Sequence, residues 1–282
     1  MTGINPWLVP VWLLTAGLFF LGRKFSVTGA KRIWWILIGM IAAAPGILLV
    51  IYYTGVLGEA EWFYRFRSWP ATELMAAGAG FLAGAVERWR GQVSWLKRYT
   101  SVAFIPFLVL FLVTIPYIKQ IFLRPDWGAF QDNWSDGVCL QSSESSCGPA
   151  SAATLLKLAG ITATEKEIAQ ASFTTRRGTE NWYLIRTMRR LGLKVDYRIQ
   201  TPDVNALPYP AIVGVRLNGS IGPGHFIAVL GKSGDQYILG DPMRGREEVG
   251  TMELLNRYYF TGFSMVAEIP KGGNIVWQSV AN

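Results

Sequence analysis

The sequence predicts an α+β domain behind an all-α membrane region. Three observations carry this. Apolar stretches of about span length crowd the first 118 residues. Near residue 193 the apolar spacing changes from helical to alternating, as a half-buried strand requires. Between these regions a cysteine opens a helix, and the chain's single histidine sits in a later strand. The expected division is a membrane region over 1–120, a juxtamembrane connector over 121–134 and a catalytic domain over 135–282.

Composition supports the membrane half. Of 282 residues, 51% are hydrophobic and 12 are Trp. Trp gathers at bilayer interfaces. The net charge of +8 is unevenly spread. Residues 1–130 hold 12 basic and 5 acidic side chains, whereas residues 131–282 hold 15 and 14. The excess therefore belongs to the lipid-facing half, and no nucleic-acid partner is expected.

Four spans are expected, over 6–22, 33–54, 71–86 and 101–118. The first is short, and no basic stretch precedes it, so it does not read as a signal peptide. Pro45 is expected to kink the second. The third is small and apolar, with Gly80 and Gly84 spaced for close helix contact. Loop 23–32 carries Arg23, Lys24, Lys31 and Arg32; loop 87–99 carries Arg88, Arg90, Lys97 and Arg98 against Glu87. Loop 55–73, between them, has net charge −1. Basic loops favour the cytoplasm. Four spans keep both basic loops inside and place the catalytic domain outside. Three spans, with 71–86 not crossing, would split them. The expectation is a multi-pass integral membrane protein with an extracytoplasmic catalytic domain.

The catalytic half centres on Gln141-Ser-Ser-Glu-Ser-Ser-Cys147-Gly-Pro-Ala. A helix is expected over 148–159, stopped by Gly160. A thiol at a helix N-terminus meets free N–H groups and the positive end of the dipole, which favour thiolate. Such a nucleophile needs a base. The only histidine is His225, in Gly222-Pro-Gly-His225-Phe-Ile. Asp241 ends the next strand, where it can orient the imidazole. Gln141 can offer a side-chain N–H to an oxyanion.

The remaining elements read in order. Thr164-Glu-Lys-Glu167 is a capping box for a short helix, and Thr179 is expected to cap another over 180–191. Strands follow over 193–199, 211–217, 225–231 and 236–240, then a helix over 251–258 and a strand over 262–269. Helices first and antiparallel strands after describe an α+β domain. Cys139 reads as a bystander; a bond from it to Cys147 would silence the thiol. One His and two Cys leave too few ligands for zinc, and no cofactor is expected. Gly219 to Gly224 read as turn glycines, because no Lys and helix follow them.

Gln141-x5-Cys147-Gly-Pro-Ala, His225-Phe and Asp241-Pro together resemble the C39 peptidases. The likeness covers about residues 135–270. It implies a papain-like cysteine peptidase fold and a peptide or protein substrate. In that family such domains are fused to bacteriocin-exporting transporters and cut leader peptides after a Gly-Gly pair. The resemblance assigns Cys147 as nucleophile, His225 as base, Asp241 as its orienter and Gln141 as oxyanion donor. Here the membrane region comes first, and no GxxxxGK[ST] phosphate loop appears. Any transporter or secretion partner is thus expected to be a separate protein. Two other readings stay open: a membrane-bound peptide-binding module without turnover, and an acyl or peptidyl transferase using the same residues.

Overall fold

The computed structural model describes residues 5–26, 31–91 and 104–269. Residues 92–99 of the expected second basic loop, including Lys97 and Arg98, lie outside them, as do 1–4, 27–30, 100–103 and 270–282. The chain forms two compact units. One holds residues 4–58 and 69–122; the other holds 59–68 and the chain from 123 onward.

The first unit is helical. Among the described residues three helices are long and apolar enough to cross a membrane: Leu8–Phe25 (α1), the Ile33–Tyr53 part of Arg32–Tyr53 (α2), and Phe104–Phe122 (α5). Trp12 Nε1 on α1 donates to Thr114 Oγ1 on α5 at 2.9 Å. Residues 71–86 do not form one such helix. A 3-10 turn, Thr72–Ala77, leads instead into the helix Gly78–Arg90 (α4). Its glycines meet the backbones of neighbouring helices. A Cβ on Gly80 or Gly84 would lie about 2 Å from the backbone oxygens of Thr15 or Phe19 on α1. A Cβ on Gly78 would lie 1.9 Å from the Ala42 oxygen on α2. The small residues thus serve backbone contact between helices rather than contact with lipid. Near the end of α4 a buried two-pronged pair joins Arg90 to Glu87 at 2.7 and 2.8 Å.

The second unit contains an element within the segment expected to be a loop, the short helix Glu61–Arg67 (α3). After residue 123 come the strands Trp134–Ser135 (β1) and Val138–Cys139 (β2), then three helices: Cys147–Leu158 (α6), Glu165–Ala171 (α7) and Asn181–Arg190 (α8). The capping box at Thr164 and Glu167 is present on α7. Thr179 does not cap α8; the N-cap residue is Glu180, without a side-chain bond. Thr179 Oγ1 is instead engaged with Thr174 Oγ1 at 2.7 Å.

A six-stranded antiparallel sheet completes the domain. Its strands are Lys194–Ile199 (β3), Ala211–Leu217 (β4), Gly224–Ser233 (β5), Gln236–Asp241 (β6), Gly245–Gly250 (β7) and Tyr258–Glu268 (β8), in the order β3-β8-β4-β5-β6-β7. A helix, Thr251–Arg257 (α9), precedes β8. Val213, Val215, Ile227, Val229, Leu239 and Phe260 share one core face. The strand β7 was not expected. Its Arg246-Glu-Glu248 run has no apolar alternation, because an edge strand buries little. The last strand begins four residues earlier than expected; Gly262 interrupts its pattern and lies against the Gln200 carbonyl.

The opposite edge strand, β3, pairs only with β8. Its outward backbone groups are taken by side chains. Arg189 Nε donates to the Val195 carbonyl at 2.9 Å, and Arg65 Nη2 to the Tyr197 carbonyl at 2.9 Å. The Ile199 N–H donates to Glu61 Oε2 at 2.8 Å. Tyr64 stacks near Tyr197 and Phe263, and Phe63 meets Trp182 edge-on. The helix α3 therefore closes a sheet edge that would otherwise invite pairing. Glu61→Ala should cost roughly 1 kcal/mol of local stability. Hydrogen exchange of the Ile199 amide should accelerate several-fold while Leu239, in the sheet interior, is unchanged. Equal protection in both proteins would dismiss the capping role.

Candidate active site

Cys147 is the first residue of α6 and is 9% exposed. The preceding Ser146 supplies no side-chain cap. Its hydroxyl accepts from the Ser143 N–H and donates to the Ser143 carbonyl, both at 2.9 Å. The first N–H groups of the helix therefore keep their field at the thiol. Gly148 lets this helix start press on its neighbours, since a Cβ there would meet Leu184 at 3.2 Å and Phe226 at 3.3 Å. Ser151 Oγ donates to the Phe226 carbonyl at 3.1 Å, tying α6 to the strand that carries His225.

Register brings the imidazole to the carboxylate. Ala228 on β5 faces Gly240 on β6. One step further sets Asp241 opposite Ile227, two residues from His225 on the same face. Such diagonal neighbours are within side-chain reach. His225 Nε2 lies 2.9 Å from Asp241 Oδ1. The Cys147 thiol is near enough to raise the pKa of the ring. Because Nε2 faces the carboxylate, Nδ1 is the nitrogen left for sulfur.

Asp241 is 1% exposed, and its charge is held by several donors. The Met243 N–H donates to Oδ1 at 2.8 Å, and the Tyr258 hydroxyl donates to Oδ2. Arg244 Nε stands 3.9 Å from Oδ2. Burial would raise the Asp241 pKa, but the bonds from His225, Tyr258 and the Met243 N–H hold it below the ordinary value. Burial would likewise lower the His225 pKa. The bonds to Asp241 and Cys147 and their negative charges outweigh it, and the value rises from 6.5 to about 9. Burial and the Asp241 carboxylate push the Tyr258 phenol up, so it remains a donor.

Gln141 precedes α6 on the loop that leads to Cys147. Its N–H donates to the carbonyl of Pro242, next to Asp241, at 2.9 Å. Its side-chain oxygen is buried without a hydrogen-bond partner among the described residues. Cys139 is fully buried, and its N–H donates to Thr154 Oγ1 at 3.0 Å. Burial, then the charges of Glu165 and Asp132, push its thiol far up. Both cysteines are free. Tyr258 escaped the sequence reading, which made it the end of a helix; only the β8 register shows that its hydroxyl meets Asp241.

A family model described as the peptidase C39 family matches residues 136–269. A protein of Methanothermobacter thermautotrophicus is 32% identical over 133 residues, covering 47% of this chain and 89% of that protein. The chain belongs to the peptidase C39 family. A second relative, from Methanothermobacter marburgensis, is 31% identical over 131 residues, covering 46% of this chain and 87% of that protein. Both relatives are described as uncharacterized. Two solved structures are also similar. One is a double glycine motif protease from an AMS/PCAT transporter, in complex with its leader peptide: 21% identity, 47% and 91% coverage, TM-score 0.40. The other is the peptidase domain of Streptococcus ComA, a bi-functional ABC transporter: 22% identity, 46% and 96% coverage, TM-score 0.39. The C39 domain here has the papain-like α+β arrangement, with the thiol on a helix and the imidazole on an antiparallel sheet.

With one histidine in the chain, titration is directly readable. The His225 signal in an NMR titration should move near pH 9 rather than 6.5. A raised folded-state pKa contributes stability that is full below 6.5 and is lost as pH rises through about 9. Asp241→Asn should move the midpoint down and flatten this pH dependence. A midpoint near 6.5 in the unaltered protein would contradict the arrangement.

Proposed function

We propose that this C39-family protein is a membrane-anchored cysteine endopeptidase that cleaves through a thioester. The observation that carries this reading is the buried His225 imidazole, bound to Asp241 and near enough to the Cys147 thiol at the start of α6 for that thiol to raise its pKa. At neutral pH the ring is an imidazolium beside Cys147. Sulfur attacks the scissile carbonyl. The Gln141 side-chain N–H and the Cys147 backbone N–H receive the oxyanion. His225 donates its Nδ1 proton to the departing amine, then takes one from the water that releases the acid. Asp241 holds the ring and its charge. Cys139, buried and with a raised pKa, takes no part.

The substrate is a peptide, with cleavage after a small pair such as Gly-Gly as the reading to test first. Purified full-length protein should cut such a peptide to a free carboxylate. Cys147→Ala should abolish cutting. Gln141→Ala should lower kcat by roughly 10²–10³ with little change in stability. Product mass discriminates the chemistry: an amide or thioester product means transfer, and peptide binding with no product means a binding module.

The reading includes four spans. A span at α5 with both basic loops on one side requires a further crossing between loops 55–73 and 87–99. The 3-10 turn and α4, at 6 and 13 residues, reach about 30 Å together, near the hydrocarbon thickness. With the basic loops inside, the catalytic domain lies outside the cytoplasm. Ser233 is exposed. In a chain lacking Cys139 and Cys147, Ser233→Cys should react with an impermeant maleimide on intact cells. Labelling only after lysis would place the domain in the cytoplasm.

A further inference from the structure

Glu165, the first residue of α7, is fully buried, although it lies outside the catalytic group. Burying a carboxylate is unfavourable unless donors satisfy it. Both of its oxygens are used by one residue. The Ser142 N–H donates to Oε1 at 2.9 Å, and the Ser142 hydroxyl donates to Oε2. The same hydroxyl oxygen accepts from the Gln131 N–H at 3.1 Å. The Glu165 N–H in turn donates to Asp132 Oδ1 at 3.1 Å.

Ser142 follows Gln141 directly. Gln141 itself is anchored through its own N–H to Pro242. The loop is therefore pinned on both sides of Gln141, by the Asp241–Pro242 turn before the side chain and by Glu165 after it. Between these pins the Gln141 side chain has few directions available. Nothing else in the domain uses the Glu165 carboxylate among the described bonds.

We propose that Glu165 is a positioning residue: through Ser142 it aims the Gln141 amide at the oxyanion. This inference rests on the peptidase reading above. A positioned donor has value only where negative charge develops on the carbonyl oxygen. It has none in a reaction that forms no oxyanion, and this difference supplies the test.

Two probes separate the effects in the full-length protein. A peptide aldehyde ending in Gly-glycinal forms a hemithioacetal: sulfur bonds to carbon, the carbonyl pair moves to oxygen, and that oxygen carries the negative charge while the imidazolium keeps its proton. Iodoacetamide alkylates Cys147 by displacing iodide, with no oxyanion. Glu165→Gln should weaken aldehyde binding by about 10²-fold, the scale of a misplaced group, and leave the alkylation rate within about twofold. The double variant Glu165→Gln/Gln141→Ala should bind aldehyde no worse than Gln141→Ala alone. If Glu165→Gln does not fold, Ser142→Ala asks the same question, since it removes only the hydroxyl that Glu165 holds. Unchanged aldehyde binding, equal loss with both probes, or additive losses in the double variant would each overturn the positioning role. A separate outcome tests the Gln141 role beneath it. If the unaltered protein binds aldehyde no better than Gln141→Ala, then Gln141 is not an oxyanion donor and the positioning role falls with it, whereas the peptidase reading stands or falls by the Cys147→Ala assay.

Discussion

The candidate site depends on one buried charge, that of Asp241. A carboxylate at 1% exposure is tolerable only if its lone pairs are filled. His225, Tyr258 and the Met243 N–H fill them, and they come from three separate places: β5, the start of β8, and the turn after β6. Each donor also fixes an element. The strands must keep their register for the imidazole to arrive, and β8 must begin where it does for the phenol to arrive. The charge that orients His225 thus also specifies how three parts of the sheet meet.

What could be read from the sequence was local. Cys147 at a helix start, His225 after a Gly-Pro turn and Asp241 at a strand end are marked by their immediate neighbours. The capping box at Thr164 is a four-residue signal, and it is present. The helix-then-strand order was likewise legible, because each apolar pattern repeats within a few residues.

What escaped depends on distant pairing. Tyr258 lies 17 residues from Asp241, and Glu165 lies 23 from Ser142. Neither partnership leaves a trace in spacing or hydrophobicity. The segment 71–86 was read as one continuous apolar span, and its division into a 3-10 turn and α4 was not legible. Its small residues let α4 touch two backbones closely, a use that hydropathy alone cannot separate from lipid contact. The strand β7 was lost because an edge needs no alternation.

The helix α3 adds a constraint of another kind, one of timing. During synthesis residues 61–67 are made well before the strand they cover, because Arg65 and Tyr197 are separated by 132 positions. Domains tend to condense as units while the chain emerges, and contacts at such separations close late. The segment must therefore wait, tethered between helical segments made before and after it, until the sheet exists. The first-made part of the catalytic unit is in this sense the last to be locked in place. Until then, the β3 edge is the part of the domain most open to pairing with another chain.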